Sequence, residues 1–122
     1  MYICRYLDLI SEKDILNWTS KGTPEFSPAS SHRIISTQSL SYEQREEDTD
    51  NGVKRTINIS IILNYTLEEF QNLERLGSYV VAKIYTPTSS SFVGTQDYMC
   101  NLSLDTDRKT IKISLKMTSP VL

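Results

Sequence analysis

The side chains that could do chemistry in this chain are few and scattered. The single histidine, His32, stands beside Ser30 and Ser31 in a run rich in serine and proline. Nucleophilic catalysis needs a base within hydrogen-bond reach of the nucleophile and a third group that orients the base. Sequence neighbours seldom achieve that geometry, so an ordinary loop histidine is expected. Two cysteines, Cys4 and Cys100, and one histidine fall short of a zinc site, which takes about four ligands, or three where it is catalytic. Free buried thiols are the default for such a pair in a reducing compartment. The acidic run Glu46-Glu47-Asp48-Thr49-Asp50-Asn51-Gly52 invites comparison with a calcium loop, which has glycine sixth and glutamate twelfth. Counted from Asp48, glycine falls fifth and the twelfth residue is Ile59. The run is therefore expected to be a solvated hairpin tip whose charges discourage edge-to-edge aggregation. No glycine-rich phosphate loop is present. An enzyme would require carboxylates such as Glu43, Glu46 and Asp97 to converge in a cleft with raised pKa values, and no spacing calls for this. The expectation is a protein without catalytic residues, metal or cofactor.

Four tripeptides, Asn17-Trp18-Thr19, Asn58-Ile59-Ser60, Asn64-Tyr65-Thr66 and Asn101-Leu102-Ser103, match the glycosylation acceptor pattern. Two of them fall inside expected strands and no secretion signal is evident, so all four are taken as chance matches.

Composition narrows the classes further. A length of 122 residues suits one domain with one core, from residue 1 to 122. With 39% hydrophobic and 23% charged residues, the chain is unlike a disordered one. The net charge of −2 supplies no positive field, which disfavours free-standing nucleic-acid binding and a membrane-surface role. No window approaches the roughly 18 apolar residues of a spanning helix. The start, Met1-Tyr2-Ile3-Cys4-Arg5-Tyr6, lacks a basic segment followed by an apolar core, so intracellular synthesis is expected.

The elements that would position these residues are mostly strands. Tyr2 to Ile10 is strand-like. Ser11-Glu12-Lys13-Asp14 resembles a helix start capped by Ser11, and Ile15 to Trp18 is short enough to be either a helical turn or a strand. Thr19 to Ser31 is rich in breakers and reads as a loop or arm carrying Phe26, an aromatic that either anchors a partner or folds back on its own domain. Val53, Ile57, Ile59, Ile61 and Leu63 alternate with Lys54, Thr56, Asn58, Ser60 and Asn64, the signature of a half-buried antiparallel strand. Asn51-Gly52 is a strong turn signal, since both residues tolerate positive φ. A long hairpin from about Arg33 to Asn64 follows, with its tip near Asp50.

Thr66-Leu67-Glu68-Glu69 fits a capping box, Leu67, Phe70, Leu73 and Leu76 form a helical stripe, and Gly77 is placed to close the helix in a left-handed turn. Tyr79 to Thr86 is a strand, Pro87 to Ser91 a loop. Tyr98 to Leu104 and Ile111 to Met117 form a second hairpin around Asp105-Thr106-Asp107-Arg108. The fold class expected is mainly β (α+β), with antiparallel sheets arranged as a sandwich or partly open barrel, a long hairpin and one amphipathic helix.

With no chemistry in view, surfaces are the expected seat of function. Seven tyrosines suit both strands and interfaces. The hairpin with its charged tip and the arm at 19–31 can both reach a neighbouring subunit. The candidate interface residues are Phe26, Tyr42, Glu46, Glu47, Asp48, Asp50 and Asn51.

The strand Val53–Asn64, the helix Leu67–Leu76 and the pair Tyr98–Asp105 and Lys109–Met117 give an element order that resembles the small β-proteins of phage tails. The resemblance spans roughly two-thirds of the chain, from Arg33 to Met117. It implies a structural component of a phage or prophage particle that forms a homo-oligomeric ring through sheet edges and extended loops. Such a protein would be made in the host cytoplasm, reside in the virion and contact other particle proteins. The alternative is a monomeric module whose sheet or loop face captures a peptide or small ligand.

Overall fold

Alternation of apolar and polar residues sets the longest strands of the computed structural model, which describes residues 3–38 and 40–121. Tyr2, in the strand expected from Tyr2 to Ile10, and Ser39, within the hairpin expected from Arg33 to Asn64, lie outside the described residues. The strands in chain order are β1 (Tyr6–Ser11), β2 (Ile15–Trp18), β3 (Pro24–Phe26), β4 (Ser31–Ile35), β5 (Ser41–Thr49), β6 (Gly52–Asn64), β7 (Tyr79–Tyr85), β8 (Ser90–Val93), β9 (Cys100–Thr106) and β10 (Thr110–Val121). One α-helix, α1 (Leu67–Arg75), joins β6 to β7. The protein is thus mainly β, and every strand pairing is antiparallel.

Eight strands form one sheet in the order β4-β1-β7-β9-β10-β6-β5, with β8 beside the second half of β7. The sheet does not close into a barrel. Across the gap between β4 and β6, the Thr37 amide donates to the Ile62 carbonyl at 2.8 Å, while Ser36 N–H donates to Arg5 O at 2.7 Å. The inner face gathers Leu7 and Leu9 of β1, Ile59 and Ile61 of β6, Val80 and Ala82 of β7, and Ile111, Ile113 and Leu115 of β10, all essentially inaccessible. Leu73 of the helix and Leu76 at its C-cap complete this core.

Several sequence expectations are corrected in detail. The long hairpin begins at Ser41, because Arg33–Ile35 pairs with β1 instead; the buried Ser36 hydroxyl then donates to Ile62 O and carries the chain across. At the tip, Thr49 opposes Gly52, so the two loop residues are Asp50 and Asn51. Only Gly52 takes positive φ there, at 111°. Ser11 stands at the N-cap position of a single 3-10 turn, Glu12–Asp14, but its side chain makes no capping bond there. Its hydroxyl donates to the Leu76 carbonyl at 2.6 Å, satisfying an orphan acceptor at the end of α1. Thr66 accepts from the Glu69 amide at 3.1 Å, but the reciprocal bond of a capping box is replaced, because Glu69 reaches His32 at 2.9 Å. Leu67 is 60% exposed, since the first turn projects beyond the core. Gly77, with φ of 84°, closes the helix as expected.

Ile15–Trp18 resolves as a strand, and the Thr19–Ser31 arm contains β3, so the two make a small antiparallel pair outside the main sheet. Ser90 and Ser91, expected in a loop, begin β8. The turn of the second hairpin sits later than expected, with the Asp107 carboxylate accepting from the amides of Lys109 and Thr110, each at 2.7 Å. Those bonds hold the Asp107 carboxyl below the ordinary carboxylate range. Both cysteines are free thiols, and burial pushes the Cys100 thiol up to about 12.

Candidate interaction surface

Two features of the sheet lie open to partners: a ribbon with a free edge, and the outer face beside it. β6 and β10 pair over twelve positions, from Ile111↔Leu63 and its neighbour Thr110↔Asn64 to Val121↔Val53. The buried residues of β6 stop at Ile57 on the tip side. Residues 52–56 of β6 therefore continue beyond the core as a three-stranded ribbon with β5 on one flank and the end of β10 on the other. β5 is nine residues long, and among the described residues its ladder runs to β6 alone. None of its side chains is buried.

Glu46, Glu47, Asp48, Asp50 and Asn51 come together on this ribbon. Glu46 pairs with Arg55 at 2.9 Å, Glu47 with Lys54 at 4.0 Å and Glu43 with Arg45 at 3.1 Å. Exposed pairs of this kind contribute little stability. Five carboxylates (Glu43, Glu46, Glu47, Asp48, Asp50) face three cations (Arg45, Lys54, Arg55), so the ribbon stays acidic. Tyr42 sits at its base, partly buried against the core, with its hydroxyl donating to Gln44 Oε1 at 3.1 Å. Burial raises its pKa. Phe26 lies elsewhere, beyond β9 and β10, where it meets Phe92 edge-to-face at 6.2 Å.

Sheet register builds the second feature. On the outer face, Lys116 of β10 opposes Asn58 of β6 and Asn101 of β9, and Ser114 opposes Ser60 and Ser103. Asn101 in turn opposes Tyr79 at the start of β7. The loop before β9 rises beside this array. It is closed by reciprocal backbone bonds between Thr95 and Tyr98, of 3.0 and 3.2 Å, and it presents Asp97 and Tyr98. Together they bound a groove of about 700 Å³. Its chemistry was not legible in any one segment, because the six floor residues belong to three strands whose register only the folded sheet sets. A partial signal existed: in a strand, residues two apart share a face, so each Asn-x-Ser tripeptide marks a polar, outward stripe.

The other half of the outer face is occupied. Phe92 opposes Lys83 on the outward side, and Phe26 packs on it, which places the β2–β3 arm over β7 and β8. On the same side Ile10 and Val81, paired outward-facing residues, have no exposure, and the chain at Gly94 runs close to Val81. Nearby, Arg33 donates to both oxygens of Asp8, at 2.8 and 3.2 Å. The Tyr85 hydroxyl also donates to Asp8, and the guanidinium sits 4.7 and 5.1 Å from the Tyr6 and Tyr85 ring centres. Burial pushes the Asp8 pKa up, but the bonds from Arg33 and Tyr85 and the charges of Arg33 and Lys83 outweigh it, leaving it below the ordinary value of 3.8. Within this cluster Asp8 and Arg33 offset each other's charge.

The other candidates from the sequence are separated. Ser30 and Ser31 donate to the carbonyls of Ser27 and Pro28 in a short 3-10 turn, while His32 faces Glu69. Glu43 and Glu46 are each held by an arginine on the ribbon, while Asp97 stands at the groove wall. Among the described residues no group of three His, Cys, Asp or Glu side chains is arranged to hold a metal, and no helix is long and apolar enough to cross a membrane. Comparison of the chain with protein-family models, curated proteins and solved structures returns no match.

Proposed function

We propose that the protein is a structural subunit that assembles into a homo-oligomeric ring through its sheet edges, as a component of a phage or prophage particle and most plainly of its tail. The observation that carries this reading is β5, a nine-residue strand whose outer edge no other strand among the described residues covers. An uncovered strand of that length is a template for pairing with another chain. The ribbon has a second, different edge: β10 continues through Met117–Val121 past the last residue that β9 reaches. Two unlike edges on one subunit suit head-to-tail association, which closes into a ring when the rotation permits. The charges on β5 make pairing selective in register. The element order of long hairpin, helix and closing hairpin supports the likeness to tail proteins, whose subunits join in this manner.

Light scattering over a range of concentrations tests the proposal. Successive residues of a strand aim their N–H groups to opposite sides. One of the two variants Arg45→Pro and Glu46→Pro therefore spares the β5–β6 ladder and obstructs only the free edge. The wild type should give a discrete multiple of the subunit mass, and the ladder-sparing variant a folded monomer. A wild type that remains monomeric at every concentration overturns the assembly reading. The groove favours a second reading, a module that captures a small ligand on its sheet face, and the two are compatible on one subunit.

A further inference from the structure

We propose that the groove on the outer face of β6, β10 and β9 is a binding site for a neutral saccharide. The inference is independent of ring assembly, because it uses the face of the sheet and leaves its edges alone.

The floor is a regular array. One row runs Asn58, Lys116, Asn101 and the next Ser60, Ser114, Ser103, fixed by the pairing of β10 with both neighbours. Adjacent strands lie about 4.8 Å apart and same-face residues about 7 Å apart along a strand, so the array measures roughly 10 by 7 Å. Among the described residues none of these six side chains forms an ion pair or a side-chain hydrogen bond within the protein. Amides, hydroxyls and an ammonium thus stand ready, mixing donors with acceptors. A sugar hydroxyl is both donor and acceptor and comes in adjacent pairs, which a planar amide can engage with its two ends.

The walls supply the complementary element. Tyr79 is 50% and Tyr98 41% exposed. Aromatic faces at the rim of a polar floor accept the C–H face of a pyranose ring while the floor takes its hydroxyls.

Other ligand classes fit less well. The groove carries one cation, Lys116, and one carboxylate, Asp97. A nucleic acid needs several cations to meet its phosphates, and this site has no net charge to offer. An extended peptide binds by adding to a sheet edge. Here β6 and β10 are paired on both sides at these positions, and β9 is paired with β7 as far as Asn101, so the main-chain groups of the floor are committed except along the edge of β9 past that point. A neutral ligand rich in hydroxyls remains.

The test is saturation-transfer NMR on the intact protein, which works for a monomer or a ring. The probes are maltotriose, chitotriose and a β-linked galactotriose, with a polar pentapeptide for comparison. At least one trisaccharide should receive saturation, strongest on its ring C–H protons. Tyr98→Phe should retain the signal. Tyr98→Ala should weaken binding about tenfold, in line with the loss of one stacked aromatic, and Asn101→Ala should also weaken it. Both positions are exposed, and unchanged far-UV and near-UV circular dichroism confirms folding. No saturation of any trisaccharide, saturation of the pentapeptide alone, or saturation that persists in both alanine variants overturns the proposal.

Discussion

The two halves of the outer face of one sheet have opposite fates. Over β1, β7 and β8, outward positions include Ile10 and Val81, both without exposure, and the chain lays its β2–β3 arm there, with Phe26 against Phe92. Over β9, β10 and β6, outward positions are Asn58, Ser60, Asn101, Ser103, Ser114 and Lys116, and nothing in the described chain lies on them beyond the loop that walls the groove. The difference is one of residue type at equivalent places on the pleat. Apolar outward residues require a second layer, which the arm provides and which gives the protein its sandwich-like half. Polar outward residues need none, and they leave the groove and the ribbon free for other molecules.

The contrast can be broken most severely on the covered side. Ile10→Ala removes a fully buried side chain between the sheet and its arm and should cost about 3 kcal/mol in denaturant unfolding. A cost below about 1 kcal/mol would mean that the arm does not pack as a second layer. Asp8→Asn should cost about 2 kcal/mol at neutral pH, since it weakens a buried acceptor of two donors.

Asp8 also gives that half a pH dependence. Its folded-state pKa lies below the ordinary 3.8. Its contribution is therefore complete above that value and is lost as the pH falls through the lower, folded-state value. The acid-side decline of stability should be shallower in Asp8→Asn, and identical acid profiles would remove the cluster from the account.

Smaller effects sharpen the comparison. Phe26→Ala should cost about 1 kcal/mol and speed proteolysis within residues 15–26 while leaving the main sheet protected. Equal cleavage elsewhere would show that the arm and sheet unfold together. Ser114→Ala, an outward substitution on the bare side, should change stability by no more than about 0.5 kcal/mol.

Much of this fold was legible because burial writes itself as a period. The Val53–Leu63 alternation located β6 and its inner face, Ile111–Met117 located β10, and the Leu67, Phe70, Leu73 and Leu76 spacing with Gly77 located the helix and its end, although Leu67 stays exposed. What escaped depended on partners distant in sequence. Residues 33–35 read as the start of the long hairpin, since alternation identifies a strand without naming its neighbour, and the neighbour is β1. Ser11 looked like a cap for the residues after it, yet its hydroxyl serves Leu76, 65 positions away. Glu69 fitted a local capping box, and His32 claimed its carboxylate. Of the residues singled out for an interface, Glu46 to Asn51 meet at the ribbon tip, because they are contiguous across a turn that the sequence announces. Phe26 is occupied by Phe92, and Tyr42 is half committed to the core. The groove was invisible for the same reason as the long-range bonds: its rows exist only once three strands are in register.

The most direct test of the account is amide hydrogen exchange of β5, followed by mass spectrometry or NMR at low and high protein concentration. If copies join at this edge, exchange across Ser41–Thr49 should slow as concentration rises, while the β2–β3 arm exchanges at an unchanged rate. Exchange in β5 that is the same at every concentration would contradict the claim that its free edge is where subunits meet.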